Sequence, residues 1–591
     1  MEKEIRIYFE SIEQGTHFIY PIVKDAINKF KNVKIKLVKL KGNCNYYSKK
    51  IAPIIFWKDP DILISIIKDG EEYPLLVVEF SNAVFTEDHE LQRFDGLVAA
   101  AENNCLYAKI SPLKKTSPSE HGGNIEFDYV KPYALIFHKF GKLFFHFDWR
   151  IDRNGLVEID KEYLSCPHRI IDFEKLIQIV LTNAIQSVNF LENINKEIFS
   201  YRPFKDWYKT LTNYKIKENI ELNTPRTRWV SDKKILELKI NRFGHAMDPE
   251  RGMLAFYGTL TRVIPKMLFN QGNDAWYKDI PKESEIRKYI EKNGLIRGYD
   301  FLYCFMLGSG LYNNKDFVQI VNRYKNDKSS RIQVDITEFV KKNFSKINKA
   351  IRTILKYSNT FIIIDEKQTS RVILRWKDTF STKEFNKNPK ITLIQNISSL
   401  DEDLVTYIAI NNILKLNGFK ILAASYPGAQ ADRVILIEPG TGRRQKRKYV
   451  DIIAYLEKKK ITSLQENKGQ YSISAIQEDI NELSKYKTDK NYKEALKSFQ
   501  KRFEPKSVNS IIKIGVGFWS NPNFTISKIK DLDLKELDYF VYITPDMKNW
   551  KVWSTGNKNM FSKTSGDVKI PVIYEVIENK AKGIKLLSNF Y

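Results

Sequence analysis

The same succession of short apolar runs occurs near both ends of this 591-residue chain. Near the N-terminus, a helical pattern at residues 9–30 precedes the strand-like runs VKIKLVKL, DILISII, YPLLVVEFS and CLYAKIS. A helical segment separates the last two of these runs. From about Asp401, a helix that stops at Gly418 again precedes strand-like runs and a further helix. Strands mixed with helices in this order predict an α/β (α+β) module with a mixed sheet at each end.

The length and the patterns together predict three regions. We expect an N-terminal module at 1–160, a central region at 165–395 and a C-terminal module at 400–591. The runs PYALIFHKF and KLFFHFDWR predict a hairpin that turns at Gly141. The centre mixes helical patterns with hairpin-like runs such as TFIIID and RVILRW, and it is rich in aromatic and basic residues. We expect it to recognise DNA or to act as a sensing region.

The charge balance indicates a polyanionic partner. The chain has 96 Lys and Arg against 71 Asp and Glu, a formal net charge of +25. Such a charge favours nucleic acid first and an anionic membrane surface second. The hydrophobic fraction of 43% and the charged fraction of 28% are those of a globular protein and exclude a wholly disordered chain, a collagen or a coiled-coil rod.

Cysteine usage and the apolar runs indicate a compartment. None of the four cysteines forms a C-x-x-C pair, which argues against a zinc ribbon and for a reducing environment. The charged N-terminus lacks the apolar core of a signal peptide, and no run is long enough to span a membrane. We therefore expect a cytoplasmic protein with no membrane partner.

Two carboxylates and a lysine fall on neighbouring strands of the C-terminal module. Asp451 lies on one predicted strand, and Glu466 and Lys468 lie on the next. Residues i and i+2 of a strand point to the same face, so Glu466 and Lys468 project together. Two adjacent carboxylates repel each other unless a cation neutralises them, which predicts a Mg²⁺ site that would also accept Mn²⁺. Metal-dependent phosphodiester hydrolysis requires such an ion, and a nearby ammonium group can orient the water and neutralise developing charge.

The spacing D-x14-E-x-K, with a helix before and after, resembles the PD-(D/E)XK nuclease superfamily over about residues 401–545. This resemblance implies metal ligation by Asp451 and Glu466 and a catalytic role for Lys468. It also implies accessory roles for Gln465 and for an acid on the first helix, either Glu402 or Asp403, of which we prefer Glu402. The sequence departs from the pattern at Val450, where many members have Pro.

The N-terminal module repeats the layout with one departure. Asp61 follows a proline and Glu79 closes the next strand, giving D-x17-E. The resemblance implies catalytic and metal-binding roles for both. Ser81 stands where the lysine is expected, so Lys109 on the following strand is our first choice for the cation and Arg93 is an alternative. The accessory residues that we expect are Glu13, with Glu10 as an alternative, and Gln92. We favour an active site over a degenerate copy that holds DNA.

A basic turn precedes Asp451. The segment GTGRRQKRK is predicted to join two strands and to grip phosphates, since basic hairpin tips bind DNA backbones. The candidate DNA-binding residues are Arg443, Arg444, Lys446, Arg447 and Lys448. A second dense cluster of charges, with His245, Asp248 and Glu250, is better interpreted as a salt-bridged turn than as a site.

Two nuclease-like modules around a central region resemble type II restriction endonucleases with two dissimilar active sites. That resemblance implies sequence-specific cleavage of double-stranded DNA, one strand per site, and a cognate methyltransferase for the same target. A monomer is favoured over a dimer. Two alternatives stay open: a defence or CRISPR-associated nuclease with a central regulatory domain, and a DNA-binding protein with degenerate nuclease folds.

Overall fold

The computed structural model is a mixed α/β protein. It describes side chains in residues 3–40, 47–82, 93–113, 128–152, 157–160, 162–187, 194, 197–215, 402–425, 433–438, 446–469, 471–519, 535–544, 548–554 and 560–569, with a few positions excepted, and the backbone of seven strands between 227 and 375. Within these ranges, no helix has the length and hydropathy needed to cross a bilayer.

The N-terminal module contains a six-stranded mixed sheet in the order β2-β1-β3-β4-β5-β6. Its strands are β1 (Lys3–Phe9), β2 (Val33–Lys39), β3 (Ile62–Lys68), β4 (Glu71–Phe80), β5 (Leu106–Ser111) and β6 (Phe145–Asp148). Its helices are α1 (Tyr20–Ile27), which continues a π-helical turn at Gln14–Ile19, α2 (Ala52–Trp57), α3 (Phe94–Glu102), α4 (Val130–Phe140), α5 (Ile171–Gln186) and α6 (Arg202–Asn213). Strand β3 is antiparallel to β1 and β4, and β5 is parallel to β4 and β6.

Helices cover both faces of this sheet, which explains the nearly continuous apolar runs of β3 and β4. Helix α5 packs against α1 and β4, and α3 packs against α2 and β5. Phe173 of α5 and Phe204 and Leu211 of α6 are buried in the same core. The N-terminal core therefore includes residues beyond 160, where we expected the module to end.

The hairpin predicted around Gly141 is wrong. Residues Val130–Phe140 form helix α4, and only Phe145–Asp148 form a strand. Gly141 has φ 63°, the left-handed conformation that commonly ends a helix. A short apolar run fits a buried helix as well as a strand, so the pattern alone did not distinguish them. The predicted start of the first helix at Phe9 is also wrong, because Phe9 ends β1.

The C-terminal module has a seven-stranded mixed sheet in the order β14-β17-β18-β19-β20-β21-β22. These strands are β14 (Lys420–Ala424), β17 (Ile452–Leu456), β18 (Ile461–Lys468), β19 (Ile511–Trp519), β20 (Tyr539–Ile543), β21 (Asn549–Ser554) and β22 (Ser565–Asp567). The helices are α7 (Glu402–Ile408), α8 (Ile473–Thr488) and α9 (Lys490–Phe503). The helix that begins with α7 ends at Gly418 with φ 81°, as predicted. Helix α8 packs on one face of β18 and β19, and α7 packs against the same two strands.

The basic segment before Asp451 forms part of a separate ribbon. Strands β15 (Ile435–Glu438) and β16 (Lys446–Lys448) pair antiparallel in a two-stranded sheet. Ile435 and Ile437 join the core formed with α8 and α9. Part of the predicted basic turn is thus strand β16. This strand pairs with β15 in the ribbon and not with β17, the strand that follows Asp451.

The centre contains the backbone of a seven-stranded sheet in the order β11-β13-β12-β10-β9-β8-β7. Its strands are β7 (Thr227–Val230), β8 (Ile235–Ile240), β9 (Met267–Gln271), β10 (Phe301–Met306), β11 (Ile332–Asp335), β12 (Thr360–Ile364) and β13 (Arg371–Arg375). Strands β12 and β13 are antiparallel, which confirms the hairpin predicted from TFIIID and RVILRW. The cluster with His245, Asp248 and Glu250 lies outside the described residues.

Helix α7 joins the two outer modules. Its apolar residues Leu404, Val405 and Ile408 are buried within the N-terminal core. Tyr407 of α7 forms a 2.7 Å hydrogen bond with the ring of His17. Because α7 also packs on β18 and β19, it links the two sheets through one helix.

Candidate active site

Asp451 and Glu466 lie opposite each other on antiparallel strands of the C-terminal sheet. Ile452 of β17 pairs with Gln465 of β18, so one further step along the ladder places Asp451 beside Glu466. The Oδ2 atom of Asp451 accepts a hydrogen bond from the backbone N–H of Asn467 at 2.7 Å. This bond fixes the first carboxylate against the strand that carries the second.

Both carboxyl groups of the pair have raised pKa values. Burial, followed by the charge of Asp451, raises the pKa of Glu466 to about 9. Burial also raises the pKa of Asp451, although its hydrogen bond with Asn467 opposes the shift. Two carboxyl groups with raised pKa values on facing strands favour either a shared proton or a cation.

The ammonium group of Lys468 lies beside this pair on the same face. It forms a 3.2 Å ion pair with Asp479 of helix α8. Burial lowers the pKa of Lys468, but the carboxylate of Asp479 outweighs this effect and the pKa is raised. Lys448, from the ribbon, lies 3.7 Å from Glu482 of the same helix. Acids of α8 therefore form ion pairs with both lysines near the carboxylates.

The two accessory residues predicted here lie in different places. Glu402 is at the start of α7, where its charge affects Asp451, Lys468 and Asp479. Gln465 lies on the opposite face of β18 and is fully buried. Its amide donates to Asn467 Oδ1 at 2.8 Å, and its carbonyl accepts from the hydroxyl of Tyr539 at 2.9 Å. The structure therefore brings Glu402 to the carboxylates and places Gln465 in a buried network behind them.

The donors present fit a magnesium ion of the kind that binds phosphates. Among the described residues, no group of three or more His, Cys, Asp or Glu side chains has the arrangement of a metal site. Mg²⁺ commonly takes only one or two carboxylates and completes its shell with water and phosphate oxygens. Asp451 and Glu466 supply two such carboxylates, and burial, the main cause of their raised pKa values, disfavours two charged carboxylates that no cation neutralises.

The N-terminal sheet holds Asp61 and Glu79 in the same relationship. Ile62 of β3 pairs with Val78 of β4, which places Asp61 opposite Glu79. The Oδ2 atom of Asp61 accepts a hydrogen bond from the backbone N–H of Phe80 at 2.6 Å. The D-x17-E and D-x14-E patterns therefore produce one backbone arrangement at both ends of the chain.

Burial dominates the electrostatics of this second cluster. It raises the pKa of Glu79 well above the ordinary value, and the charge of Asp61 adds to the shift. Glu10, directly after β1, has its pKa raised to about 7 by burial and by Asp61, while Lys39 and Lys58 oppose the shift. Glu10 is thus a further acid of the cluster, and the charges of Asp59 and Asp95 also act on these carboxylates.

Arg93 contacts both principal carboxylates. Its Nε atom lies 3.2 Å from Glu79 Oε2 and 4.0 Å from Asp61 Oδ2. Lys109, our first choice, is the in-register neighbour of Glu79 on β5 and is 1% exposed. Both cations that the sequence suggested therefore lie beside the acids, and Arg93 is within ion-pair distance of both carboxylates.

Other predicted residues lie elsewhere. The carboxylate of Glu13 accepts hydrogen bonds from the backbone N–H and hydroxyl of Ser165, at 2.9 and 2.6 Å, and so holds a loop at the module junction. Gln92, Arg443 and Arg444 lie outside the described residues. Lys446 and Arg447 are in strand β16, and Lys448 ends it.

Three charged residues near the clusters were missed by the sequence analysis. They are Lys39, Lys58 and Asp479. Asp479 lies on the helix that follows the E-x-K motif, so helical position was a usable signal for it. Lys39 donates a hydrogen bond to the backbone carbonyl of Glu10 and lies 3.9 Å from Asp403 of α7. Only the packing of the two modules brings Lys39 and Asp403 together.

Comparison with known proteins adds no family. No family model matches the chain, and neither a curated protein nor a solved structure is significantly similar to it. Function is therefore inferred from the two clusters themselves.

Proposed function

We propose that this protein is a Mg²⁺-dependent endonuclease that hydrolyses phosphodiester bonds of double-stranded DNA at a specific sequence, with its active site at Asp451, Glu466 and Lys468. One observation carries the proposal: Asp451 lies opposite a buried Glu466 whose pKa is raised, with Lys468 two residues farther along the same strand. This is the arrangement expected of a PD-(D/E)XK nuclease module, and Mn²⁺ is expected to replace Mg²⁺.

Each residue of the cluster has a distinct role in this proposal. Asp451 and Glu466 would hold the divalent ion, which supplies charge stabilisation and a water of lowered pKa. Lys468 stays protonated because of Asp479, so it can orient a water molecule and stabilise negative charge developing on the phosphate. Glu402 contributes further negative charge from α7.

The net charge of +25 supports DNA as the substrate, because binding to a polyanion is driven by phosphate neutralisation. The ribbon that ends at Lys448 lies against helix α8, where Lys448 is 3.7 Å from Glu482. The charge of Lys448 also acts on Glu466, where it opposes the rise in pKa that burial causes. A restriction-type role in the cytoplasm would pair this chain with a methyltransferase that protects the same target.

The proposal is tested by digestion of a mixed-sequence duplex with the full chain and Mg²⁺, followed by sequencing of both ends. We expect cuts at one fixed sequence that disappear with EDTA and in the Asp451→Asn variant. Cleavage that persists in Asp451→Asn contradicts the assignment of this site. Cleavage only after addition of a nucleotide or guide complex would instead support a ligand-gated nuclease.

A further inference from the structure

The two carboxylate pairs have the same backbone geometry but different cations. In the N-terminal cluster, Arg93 forms ion pairs with Glu79 and Asp61 at 3.2 and 4.0 Å. In the C-terminal cluster, the ammonium of Lys468 instead forms its ion pair with Asp479, at 3.2 Å. A guanidinium group therefore lies at the carboxylate pair of the N-terminal module, whereas the lysine of the C-terminal motif pairs with an acid of helix α8.

Burial explains why the N-terminal pair needs this cation. The side chain of Glu79 is 1% exposed, whereas those of Asp61 and Arg93 are 20% and 19% exposed. A buried carboxylate is strongly unfavourable unless a positive charge compensates for it. Arg93 provides a positive charge 3.2 Å from Glu79 at the start of helix α3, and the charge of Lys58 acts on Glu79 in the same sense, so the protein itself supplies cations to the buried acid.

Close packing covers the other side of Glu79. A Cβ atom built on Gly96 of α3 would lie 3.1 Å from Glu79 Oε1, and 3.3 Å from Cγ of Lys58. The helix backbone therefore approaches this oxygen closely, and within the described residues Oε1 accepts no hydrogen bond. One oxygen of Glu79 faces the guanidinium and the other faces a helix backbone.

We infer that Arg93 is the built-in cation of the N-terminal cluster and excludes a divalent ion from it, so that each chain binds one such ion, at Asp451 and Glu466. The inference rests on the proposed function for its assignment of the C-terminal ion. The N-terminal module then contributes binding surface, and the chain cuts one strand per encounter. This replaces our expectation of a cut at each end.

The number of Mn²⁺ ions bound by the full-length protein without DNA tests this inference, with free Mn²⁺ measured by electron paramagnetic resonance. We expect one site in the wild type, lost in Asp451→Asn and kept in Asp61→Asn. Arg93→Met should gain a second site, which Asp61→Asn then removes. Arg93→Lys keeps the charge and should gain none, and Arg502→Met is the matched control for losing an arginine elsewhere.

Two results would overturn the inference: a wild-type Mn²⁺ site that Asp61→Asn removes, or no additional site in Arg93→Met. Failure of the proposed function gives a different result: no wild-type site at all, or a wild-type site that both Asp451→Asn and Asp61→Asn leave intact. The additional Mn²⁺ site in Arg93→Met is counted separately from the wild-type site.

Thermal unfolding keeps the test decisive if Arg93→Met is unstable. Mn²⁺ should raise the Tm of Arg93→Met more than that of the wild type, because the ion replaces the missing charge. The double variant Glu79→Gln/Arg93→Met removes both charges, so it should regain Tm and lose the Mn²⁺ effect. An equal Mn²⁺ effect on the Tm of Arg93→Met and of the wild type contradicts the inference.

Discussion

The carboxylate of Asp451 accepts a hydrogen bond from the backbone N–H of Asn467, the residue that follows Glu466. At the other end of the chain, Asp61 accepts the corresponding bond from Phe80, the residue that follows Glu79. The two bonds are 2.7 and 2.6 Å long. The same backbone framework therefore presents an acid pair in both modules, and the difference between them lies in the surrounding cations.

Lys468→Met should lower the cleavage rate by about 10²–10³, as expected when one preorganised electrostatic donor is removed. DNA affinity should change little, because the lysine acts on charge that develops during the reaction. Single-turnover rates with saturating enzyme measure the effect, and Lys458→Met, on the turn before β18, is the matched control. A single-turnover rate within about threefold of wild type would remove Lys468 from the mechanism.

The sequence predicted most of the sheet elements and the acid pairs, because strand periodicity and the spacing of Asp451, Glu466 and Lys468 are local properties. It did not predict α4, since an apolar run before Gly141 fits either a helix or a strand. It also could not show that Lys39 reaches Asp403. That contact depends on module packing, which brings together residues far apart in sequence.

Lys39 should couple the modules through Asp403. The pair is 3.9 Å apart, with Lys39 buried and also bonded to the carbonyl of Glu10. Lys39→Met should destabilise the protein by about 1–3 kcal/mol, since a buried acceptor loses its donor. In a double-mutant cycle on urea unfolding, Lys39→Met and Asp403→Asn should show a coupling energy of at least about 0.5 kcal/mol. Strictly additive effects would show that the ion pair contributes nothing.

His17 should make stability depend on pH. Burial, with help from Lys415, lowers the pKa of His17 from 6.5 to about 4. Between these values the unfolded chain binds the proton and the folded chain does not. Stability is therefore complete above about pH 6.5 and falls as the pH drops towards 4, by about 1.4 kcal/mol per pH unit at most.

The His17→Gln variant isolates this effect from other titrating groups. Its free energy of unfolding should fall less than that of the wild type between pH 7 and pH 4.5, by about 2 kcal/mol. His168→Gln, an exposed histidine, is the control. Identical pH dependence in wild type and His17→Gln would contradict the burial argument.

The basic segment 443–448 should contribute to DNA affinity through phosphate contacts. Replacing Arg443, Arg444 and Arg447 by Ala should flatten the log–log dependence of affinity on salt by about one to three units, at roughly 0.9 per contact. Fluorescence anisotropy across a salt series measures the slope. The matched control replaces three lysines of α9 (Lys490, Lys493 and Lys497) by Ala. Equal slopes for wild type and the arginine variant would leave the basic segment 443–448 without a role in binding.

Cleavage of a duplex by Glu466→Gln tests the central claim most directly. The substitution keeps the size of the side chain but removes the charge that, with Asp451, would hold the ion. We predict that Glu466→Gln binds the duplex as tightly as wild type and that its Mg²⁺-dependent cleavage falls by at least about 10³. Glu457→Gln, on the exposed turn before the same strand, should cleave normally. Normal Mg²⁺-dependent cleavage by Glu466→Gln would contradict the account.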